Sequence, residues 1–337
     1  MARRAGVSTK TVSRVLNAEP YVRDELKARV LSAAKDLHYR PKMSARSLPG
    51  SRSYVVGYLL NDPSNPYIGQ AQLGALTACR QAGYHLLVES IDLTGPDIRA
   101  QLDRWLGALK VDGVLLSPPL CDNANILGAL DDAGVAYVRL APSTDPRRSP
   151  LVESDDRAAA HQMALHLIDL GHRDIGFVVG APGHSASRLR LEGFRSAMAD
   201  RGLPFPKRLI RQGDFTFRSG GEAGDELLRG RLRPTAIFAS NDAMALGVMA
   251  TAHKLGLSVP GDLSVAGFDD LPWASMVWPE LTTVRQPIMQ MAAMATGIII
   301  DLSAGNLDPA QPQRRMLHSE IVVRASTAPP ANPGGAH

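Results

Sequence analysis

The sequence contains little cysteine and no long apolar run, and both absences narrow the class of protein. Cys79 and Cys121 are the only cysteines among 337 residues, and they lack the spacing of a metal or redox motif. No apolar run approaches the roughly 18 residues that a membrane-spanning helix needs, and no apolar signal-peptide core follows Met1–Arg4. We therefore expect both thiols to be buried as small apolar side chains, no membrane association, and a cytoplasmic protein.

The common patterns of a catalytic site are also missing. The sequence contains no phosphate-binding P-loop and no dinucleotide fingerprint. Gly183–Ser187 begins like the nucleophile elbow of a hydrolase, but Ser187 stands where the last glycine belongs. His161 and His166 are five residues apart, which is the wrong offset for two metal ligands on one face of a helix. We expect no enzyme activity, no cofactor and no bound metal.

Charge is distributed unevenly along the chain, whose overall net charge is +4. Residues 1–52 contain 12 of the 37 basic residues and 4 of the 33 acidic residues, so this segment carries +8 and the remainder −4. A basic head on a mildly acidic body suits a small module that contacts phosphate groups. The composition is otherwise that of a globular protein, with enough residues for more than one hydrophobic core.

The basic segment contains the pattern of a helix-turn-helix. Gly6 permits the tight turn between two helices, and Ser8 is a natural N-cap for the second helix. The apolar side chains Val12, Val15 and Leu16 recur at helical spacing and can pack inward. The polar side chains of this helix can reach bases or phosphates: Thr9, Lys10, Ser13, Arg14 and Asn17.

A third helix follows, with apolar positions from Val22 to Leu37 that are expected to face inward. Arg23 stands where a small polar cap is usual, and Asp24 is the alternative cap. Residues 42–48 then form a short helical pattern that Pro49-Gly50 ends. This pattern is shorter than the ~12–15 residues at which an isolated helix becomes marginally stable, so we expect it to be poorly ordered in the free protein.

From Tyr54 onward, apolar strand patterns alternate with helical patterns. The predicted strands are Val55–Leu60, Tyr84–Val88, Val114–Leu116, Val135–Leu140, Ile175–Val179, Ala236–Ala239 and Leu263–Phe268. The helical stretches between them include Ile68–Ala82, Ile98–Leu109, Ala158–Leu170 and Ala243–Leu255. This alternation predicts an α/β fold with parallel sheets and helices on both faces of each sheet.

These motifs together resemble the lac repressor / Gal repressor (LacI/GalR) family of bacterial transcription regulators. Four segments stand in the family's order and spacing, and the resemblance covers nearly the whole chain: Ala5–Ser8, Thr11–Asn17, Ala45–Leu48 and Leu281–Pro287. The resemblance implies a body of two similar lobes, like a periplasmic binding protein, with a ligand cleft between them. It also implies that the chain crosses between the lobes near Val152–Ser154, Val284–Pro287 and Met316–Ser319.

The resemblance further implies a sequence-specific transcription regulator, most simply a repressor, that binds a pseudo-palindromic operator as a homodimer. Residues 42–50 would form a hinge helix on DNA, with Leu48 as an apolar wedge in the minor groove. The alternatives are a plain linker at Leu48 and packing beneath a loop for Tyr21. The expected DNA-binding residues are Ser8, Thr9, Lys10, Thr11, Ser13, Arg14, Asn17, Tyr21, Ala45 and Leu48.

The expected ligand is a small molecule, most simply a sugar, that controls operator affinity. Open α/β sheets bind ligands at the carboxyl ends of their strands, where several polar residues of this sequence stand. The expected effector-binding residues are Asn65, Tyr67, Arg190, Phe215, Asn241, Asp269 and Gln286. Helix capping by Asn65 and core packing of Phe215 are the alternatives at two of these positions. Arg188 is the alternative arginine, and Asp242 is as good a candidate as Asn241 for the helix cap.

The resulting domain division places a DNA-binding head at residues 1–41, a hinge at 42–50, an effector-binding and dimerisation body at 54–327, and a disordered tail at 328–337. Family members usually extend several residues further upstream, and Met1–Ala5 can supply only the last turn of their first helix. We therefore expect Met1 to be an internal position of the natural reading frame.

Two other classes of protein are weaker interpretations of the same sequence. A solute-binding protein of a transporter would need an export signal and would have no use for residues 1–48. An α/β enzyme would need a catalytic constellation. The identity of the effector and the sign of its effect stay open at this point.

Overall fold

The computed structural model describes residues 1–16, 22–37, 52–93, 95, 97–311 and 313–331. Asn17, Tyr21, Ala45, Leu48 and the predicted hinge at 42–50 lie outside these residues. The helices are α1 Ala2–Ala5, α2 Thr9–Leu16, α3 Asp24–Asp36, α4 Pro66–Ala82, α5 Ile98–Ala108, α6 Ala124–Asp132, α7 Asp156–Asp169, α8 Ser185–Asp200, α9 Phe217–Leu228, α10 Asp242–Lys254 and α11 Ile288–Ala304. The strands are β1 Val55–Leu60, β2 His85–Ser90, β3 Gly113–Leu116, β4 Tyr137–Leu140, β5 Leu151–Ser154, β6 Ile175–Val179, β7 Ile210–Gln212, β8 Ala236–Ala239, β9 Ser264–Ala266, β10 Thr283–Arg285, β11 Arg314–Leu317 and β12 Glu320–Val322.

The head has the predicted turn and cap between α1 and α2. Gly6 adopts the left-handed conformation at φ 62°, which costs glycine little because it has no Cβ. The Ser8 hydroxyl accepts a hydrogen bond from the Thr11 backbone N–H at 3.0 Å, as an N-cap does. Arg29 of α3 fixes the turn by donating to the carbonyls of Ala5 and Gly6 at 3.0 and 3.1 Å.

The third helix differs from its prediction at both ends. Arg23 precedes the first helical residue and makes no side-chain cap, while Asp24 lies inside the first turn and pairs with Lys27 at 3.1 Å. Asp24 is therefore not the cap. The expectation that Leu37 faces inward is also wrong, because α3 ends at Asp36 and Leu37 is 49% exposed.

The first lobe is built on a six-stranded parallel sheet with the strand order β11-β5-β4-β3-β1-β2. Helices α4 and α11 pack on one face and enclose a core that includes Val56, Ile68 and Met291. Helices α5 and α6 cover the other face around Leu102 and Leu130. Burial on both faces explains why the inner strands β1 and β3 read as nearly continuous apolar runs.

The second lobe repeats this arrangement on a four-stranded parallel sheet with the order β7-β6-β8-β9. Successive side chains of a strand point to opposite faces. Accordingly, Phe177 of β6 belongs to the core beneath α7 and α8, whereas Val178 belongs to the core beneath α9 and α10. The predicted α/β class with parallel sheets and covered faces is confirmed.

The chain passes between the lobes three times, at the positions that the family resemblance implies. Strand β5 lies in the first sheet and the following α7 packs on the second lobe. Strand β10 pairs antiparallel with β12 and packs on the core of the second lobe, whereas the intervening α11 and β11 belong to the first lobe. Short strands such as β7 and β10 escaped prediction because three residues carry too little periodicity to recognise.

The prediction that a disordered tail starts at Ala328 is wrong at its first residue. Ala328 is held in place, since its N–H donates to Ser264 Oγ at 3.0 Å and its carbonyl lies 3.0 Å from His172 Nε2. Both cysteines are buried and unpaired, as expected. Across the described ranges, no helix combines the length and apolar character of a membrane span, and no group of side chains has the composition of a metal site.

Candidate functional site

Helix α2 presents a polar surface above a small apolar core. Val12 is buried with Ala5, Val30 and Ala33 in the core of the head. Thr9, Lys10 and Ser13 are exposed on α2, and Thr11 and Arg14 are partly exposed. The Ser8 hydroxyl is engaged in the cap and lies 2.9 Å from Thr11 Oγ1, so its side chain is held by its own helix. The described part of the head thus has the two-faced helix that major-groove recognition needs.

A cavity between the two lobes is the second candidate site, with about 640 Å³ of space that is partly open to solvent. It lies where the strands of both sheets end. All seven residues expected to bind the effector line this one cavity: Asn65, Tyr67, Arg190, Phe215, Asn241, Asp269 and Gln286. The other lining residues are Ile68, Pro118, Ala141, Asp156, His184, Ser185 and Ala186.

The polar wall of the cavity consists of Asp156, Arg190, Asp269 and Gln286. Arg190 of α8 lies at its centre and is only 4% exposed. Its Nε donates to Asp156 Oδ2 at 3.2 Å, and its Nη1 donates to the Ser240 carbonyl and lies 3.5 Å from Asp269 Oδ1. The guanidinium carbon also lies 3.7 Å from the centroid of the Phe268 ring, a cation–π contact. Arg188, the alternative candidate, is exposed and pairs with Glu192.

Asp269 is held in a specific orientation at the end of β9. Its Oδ1 accepts a hydrogen bond from Gln286 Nε2 at 2.6 Å, and its backbone adopts φ 115°, a conformation that is uncommon for a residue with a side chain. Burial raises the pKa of Asp269 from 3.8 to about 6, while Arg190 opposes the shift. Tyr67 lines the same cavity, and burial, followed by the charge of Asp269, raises the pKa of its hydroxyl.

Two asparagines of the cavity also cap helices. Asn65 Oδ1 accepts from the Tyr67 N–H at 3.0 Å at the start of α4, and Asn241 Oδ1 accepts from the Met244 N–H at 2.9 Å at the start of α10. Asp242 is therefore not the cap. Its carboxylate instead accepts from Thr283 Oγ1 at 2.5 Å and from the Leu271 N–H at 2.7 Å, so it binds the crossover strand β10.

Phe215 forms an aromatic wall of the cavity. It has a positive φ of 72°, and its ring meets that of His184 edge-on at 5.4 Å between centroids. Burial lowers the pKa of His184. The ring of Phe215 lies over Gly180, where a Cβ would come within 2.1 Å of two ring carbons. Phe215 also packs partly against the core of α9 and α10, so the alternative of core packing describes one side of the ring.

Contacts between residues on the crossover segments reach the cavity. The Ser154 hydroxyl at the end of β5 lies 2.8 Å from Asp156 Oδ1 and 2.9 Å from Gln286 Oε1. Because Asp156 binds Arg190 and Gln286 binds Asp269, the two crossovers and the polar wall form one hydrogen-bonded network. At the rim, Ser185 Oγ donates to the Ala141 carbonyl at 2.8 Å and so joins the second lobe to the first.

Asp156, His184 and Ser185 are cavity residues that sequence reasoning missed. Asp156 could have been found, because it follows β5 at a predicted crossover and therefore at the carboxyl end of a strand. Arg139 was also missed. It is fully buried and donates to Ser149 Oγ and the Thr144 carbonyl at 2.9 Å each, which holds the loop that begins at Ala141.

Comparison with known proteins agrees with this architecture. The model of the bacterial regulatory proteins of the lacI family matches residues 1–42, and the periplasmic binding protein-like domain matches residues 164–327. The ribose operon repressor of Escherichia coli K12 is 33% identical over 333 residues, which cover 97% of this chain and 98% of that protein.

Solved structures of regulators have the same fold. The lac repressor dimer bound to operator and the anti-inducer ONPF superposes with a TM-score of 0.80 at 26% identity, covering 97% of each chain. A LacI family regulator from Enterococcus faecium with bound ribose gives a TM-score of 0.72 at 25% identity, covering 82% of this chain and 99% of that one. This chain belongs to the lacI family of bacterial regulatory proteins and is a DNA-binding transcription regulator.

Proposed function

We propose that this regulator is a cytoplasmic, homodimeric repressor that binds a pseudo-palindromic operator. Its operator affinity changes when a sugar binds in the interlobe cavity. The head reads the major groove through Thr9 and Lys10, with Arg14 about one turn later on α2. The polar wall and Phe215 hold the effector. The protein performs no catalysis on it. Bacterial operators lie in the cytoplasm, which places the site of action there.

One observation carries the effector assignment: side chains from the carboxyl ends of strands in both lobes converge on one cavity that offers both polar groups and an aromatic ring. Carboxylates accept hydrogen bonds from sugar hydroxyls, and the amide of Asn241 donates to them. An aromatic face packs against the C–H face of a sugar ring. The ribose held by the Enterococcus faecium regulator supports a sugar as the class of ligand.

The network through Ser154 and Gln286 supports a route from effector to operator. A ligand that contacts Asp269 and Arg190 from one lobe and Asn65 or Tyr67 from the other binds the closed cavity better than an open one. Such a difference in affinity shifts the population of lobe arrangements. The crossover residues Ser154 and Gln286 lie between the lobes and would move with that change, which alters the spacing of two heads in a dimer.

A thermal-shift screen against pentoses, hexoses, disaccharides and purines tests the effector assignment, since a bound ligand raises the unfolding temperature. The hit should then change operator binding in a gel shift. We expect Arg190→Ala to abolish both the thermal shift and the effector response and to leave operator binding intact. A purine hit with no sugar hit would contradict the sugar assignment, and an unchanged gel shift would contradict ligand control.

Selection from randomised operators tests the reading role of α2. We expect Lys10→Ala to lose preference at one base pair of each half-site, at a cost of about 1–3 kcal/mol there, because Lys10 is exposed near the start of the helix. Lys35→Ala on α3 removes the same charge from another exposed position and serves as the control. If Lys10→Ala weakened every operator equally, Lys10 would be a phosphate contact rather than a base-reading residue.

A further inference from the structure

We infer that the cavity selects its effector by charge: it accepts an uncharged polyhydroxyl ligand and rejects the phosphorylated or carboxylated form of the same ligand. This inference rests on the proposed function, because it assumes that a small molecule occupies this cavity. It goes further by excluding the anionic sugar derivatives that would fit by shape.

The first support is the balance of charge around the cavity. Asp156 and Asp269 line it and are 4% and 6% exposed, whereas Arg190 is the only Lys or Arg among the lining residues. His184, the remaining titratable cation of the wall, is biased toward its neutral form by burial, which lowers its pKa. A third carboxyl group, Asp242, is fully buried, and its pKa is raised first by burial and then by the nearby charge of Asp269.

The second support is that the single cation is already engaged. Arg190 Nε donates to Asp156, and Arg190 Nη1 donates to the Ser240 carbonyl and to Asp269. The Phe268 ring covers one face of the guanidinium. Within the described residues only Nη2 forms no hydrogen bond. A bidentate grip on phosphate or carboxylate needs two parallel N–H groups. An anionic ligand would therefore have to displace Asp156 or Asp269 from Arg190.

The third support is that the groups left for a ligand suit hydroxyls. Asp269 Oδ1 is taken by Gln286, and Oδ2 receives no hydrogen bond from the described residues, so it is an acceptor available to a ligand hydroxyl. Asn241 uses one amide hydrogen on the Phe215 carbonyl at 3.0 Å and retains a second. A hydroxyl both donates and accepts, whereas a phosphate oxygen near Asp269 only accepts and would face a like charge.

The test is isothermal titration calorimetry on the full chain at pH 8, above the pKa of about 6 to which burial raises Asp269. The probes are matched pairs: D-ribose with D-ribose 5-phosphate, and D-glucose with D-glucose 6-phosphate. We expect the phosphate ester to bind about 100-fold or more weakly than whichever parent sugar binds, because like charges repel strongly in a buried site.

Three variants separate charge from size. Asp156→Asn and Asp242→Asn each replace a carboxyl group by an amide of nearly the same volume, and Asp242 does not line the cavity. In both variants, the affinity for the parent sugar divided by the affinity for its phosphate ester should fall about tenfold or more. Glu192→Gln, which removes a partly exposed charge from the same helix as Arg190, should leave the ratio unchanged. Circular dichroism confirms that each variant is folded.

Equal or tighter binding of the ester by the natural chain would overturn the inference and leave a small-molecule effector in place. An unchanged ratio in both folded aspartate variants would overturn it as well, because exclusion would then be a matter of size. Binding of neither member of any pair, with a purine bound instead, would contradict the proposed function and this inference with it.

Discussion

The guanidinium of Arg190 makes the buried acids of the cavity tolerable. A carboxylate removed from water is costly unless it is paired or hydrogen-bonded. Asp156 and Asp269 flank Arg190 on two sides, and Gln286 and Ser154 satisfy further oxygens of the pair. Removing one partner of a buried ion pair commonly costs about 3–5 kcal/mol, so Arg190→Ala tests stability together with binding. The ionisation of Asp269 is the more selective test.

We expect affinity for a neutral sugar to rise with pH through about 6, because burial raises the pKa of Asp269 to about 6 and only the ionised group offers both of its oxygens as acceptors, one to Gln286 and one to a ligand hydroxyl. Arg190, Asp156, Asp242, Tyr67 and Gln286 surround this carboxyl. Calorimetry should give binding about tenfold weaker at pH 5 than at pH 7. Asp269→Asn removes the titrating group, so its residual affinity should be nearly independent of pH.

The same shift predicts the opposite trend for the stability of the ligand-free protein. The folded-state pKa of about 6 lies above the ordinary value of 3.8, so the folded chain holds the proton more tightly than the unfolded chain. The contribution of Asp269 to the unfolding free energy is therefore full below pH 4 and is lost as pH rises through 6. In the calorimetric titration with sugar, by contrast, an affinity for the sugar that fell with rising pH would show that protonated Asp269 is the binding form.

At the scale of elements, the loops after β6 and β7 place the aromatic wall. Phe215 follows β7 in a left-handed conformation, and its ring occupies the space above Gly180, which follows β6. A methyl group at Gly180 would also meet Ser187 Oγ at 2.7 Å. The adjacent parallel strands β6 and β7 thus form the aromatic wall jointly. The loop after β7 supplies the ring, and the glycine after β6 leaves the space that the ring occupies.

We expect Gly180→Ala to weaken effector binding about tenfold by moving the Phe215 ring, because its new Cβ would overlap the ring at 2.1 Å. Gly128→Ala on α6, where a Cβ meets nothing within 4 Å, is the matched control and should bind normally. Titration with the identified sugar measures both. Normal affinity in Gly180→Ala would mean that the ring does not contact the ligand.

At the scale of the whole molecule, the head and the body have separate hydrophobic cores. The core of the head contains Ala5, Val12, Val30 and Ala33. The body has four other buried clusters, one on each face of its two sheets. A ligand in the interlobe cavity touches residues of the body only. Ligand stabilisation should therefore reach the body and not the head.

Differential scanning calorimetry of the full chain should show this difference as two transitions. At 100 times its dissociation constant, the effector should add about 2.7 kcal/mol to the unfolding free energy of the body and leave the head transition in place. The Asp269→Asn variant serves as the control and should respond weakly. A single transition that shifts as a unit would show that the head and the body unfold together.

The sequence alone determined the class of the fold, the bounds of several strands and the candidate residues. Ser8 and Gly6 act locally, so their cap and turn follow from neighbours within a few residues. Strands such as β1, β6 and β8 were predicted at their observed bounds, because burial on both faces leaves a clear apolar run.

Only the tertiary structure decided how the candidates meet and which neighbours control them. The ion pair of Asp156 with Arg190 spans 34 residues and the contact of Ser154 with Gln286 spans 132, so no local pattern encodes either. The same is true of the choice between Asn241 and Asp242 as the cap, because Asp242 is occupied by Thr283 and Leu271 on later segments. Charge selection depends on the number of carboxylates that surround one guanidinium, and that number is set by the packing of distant strand ends.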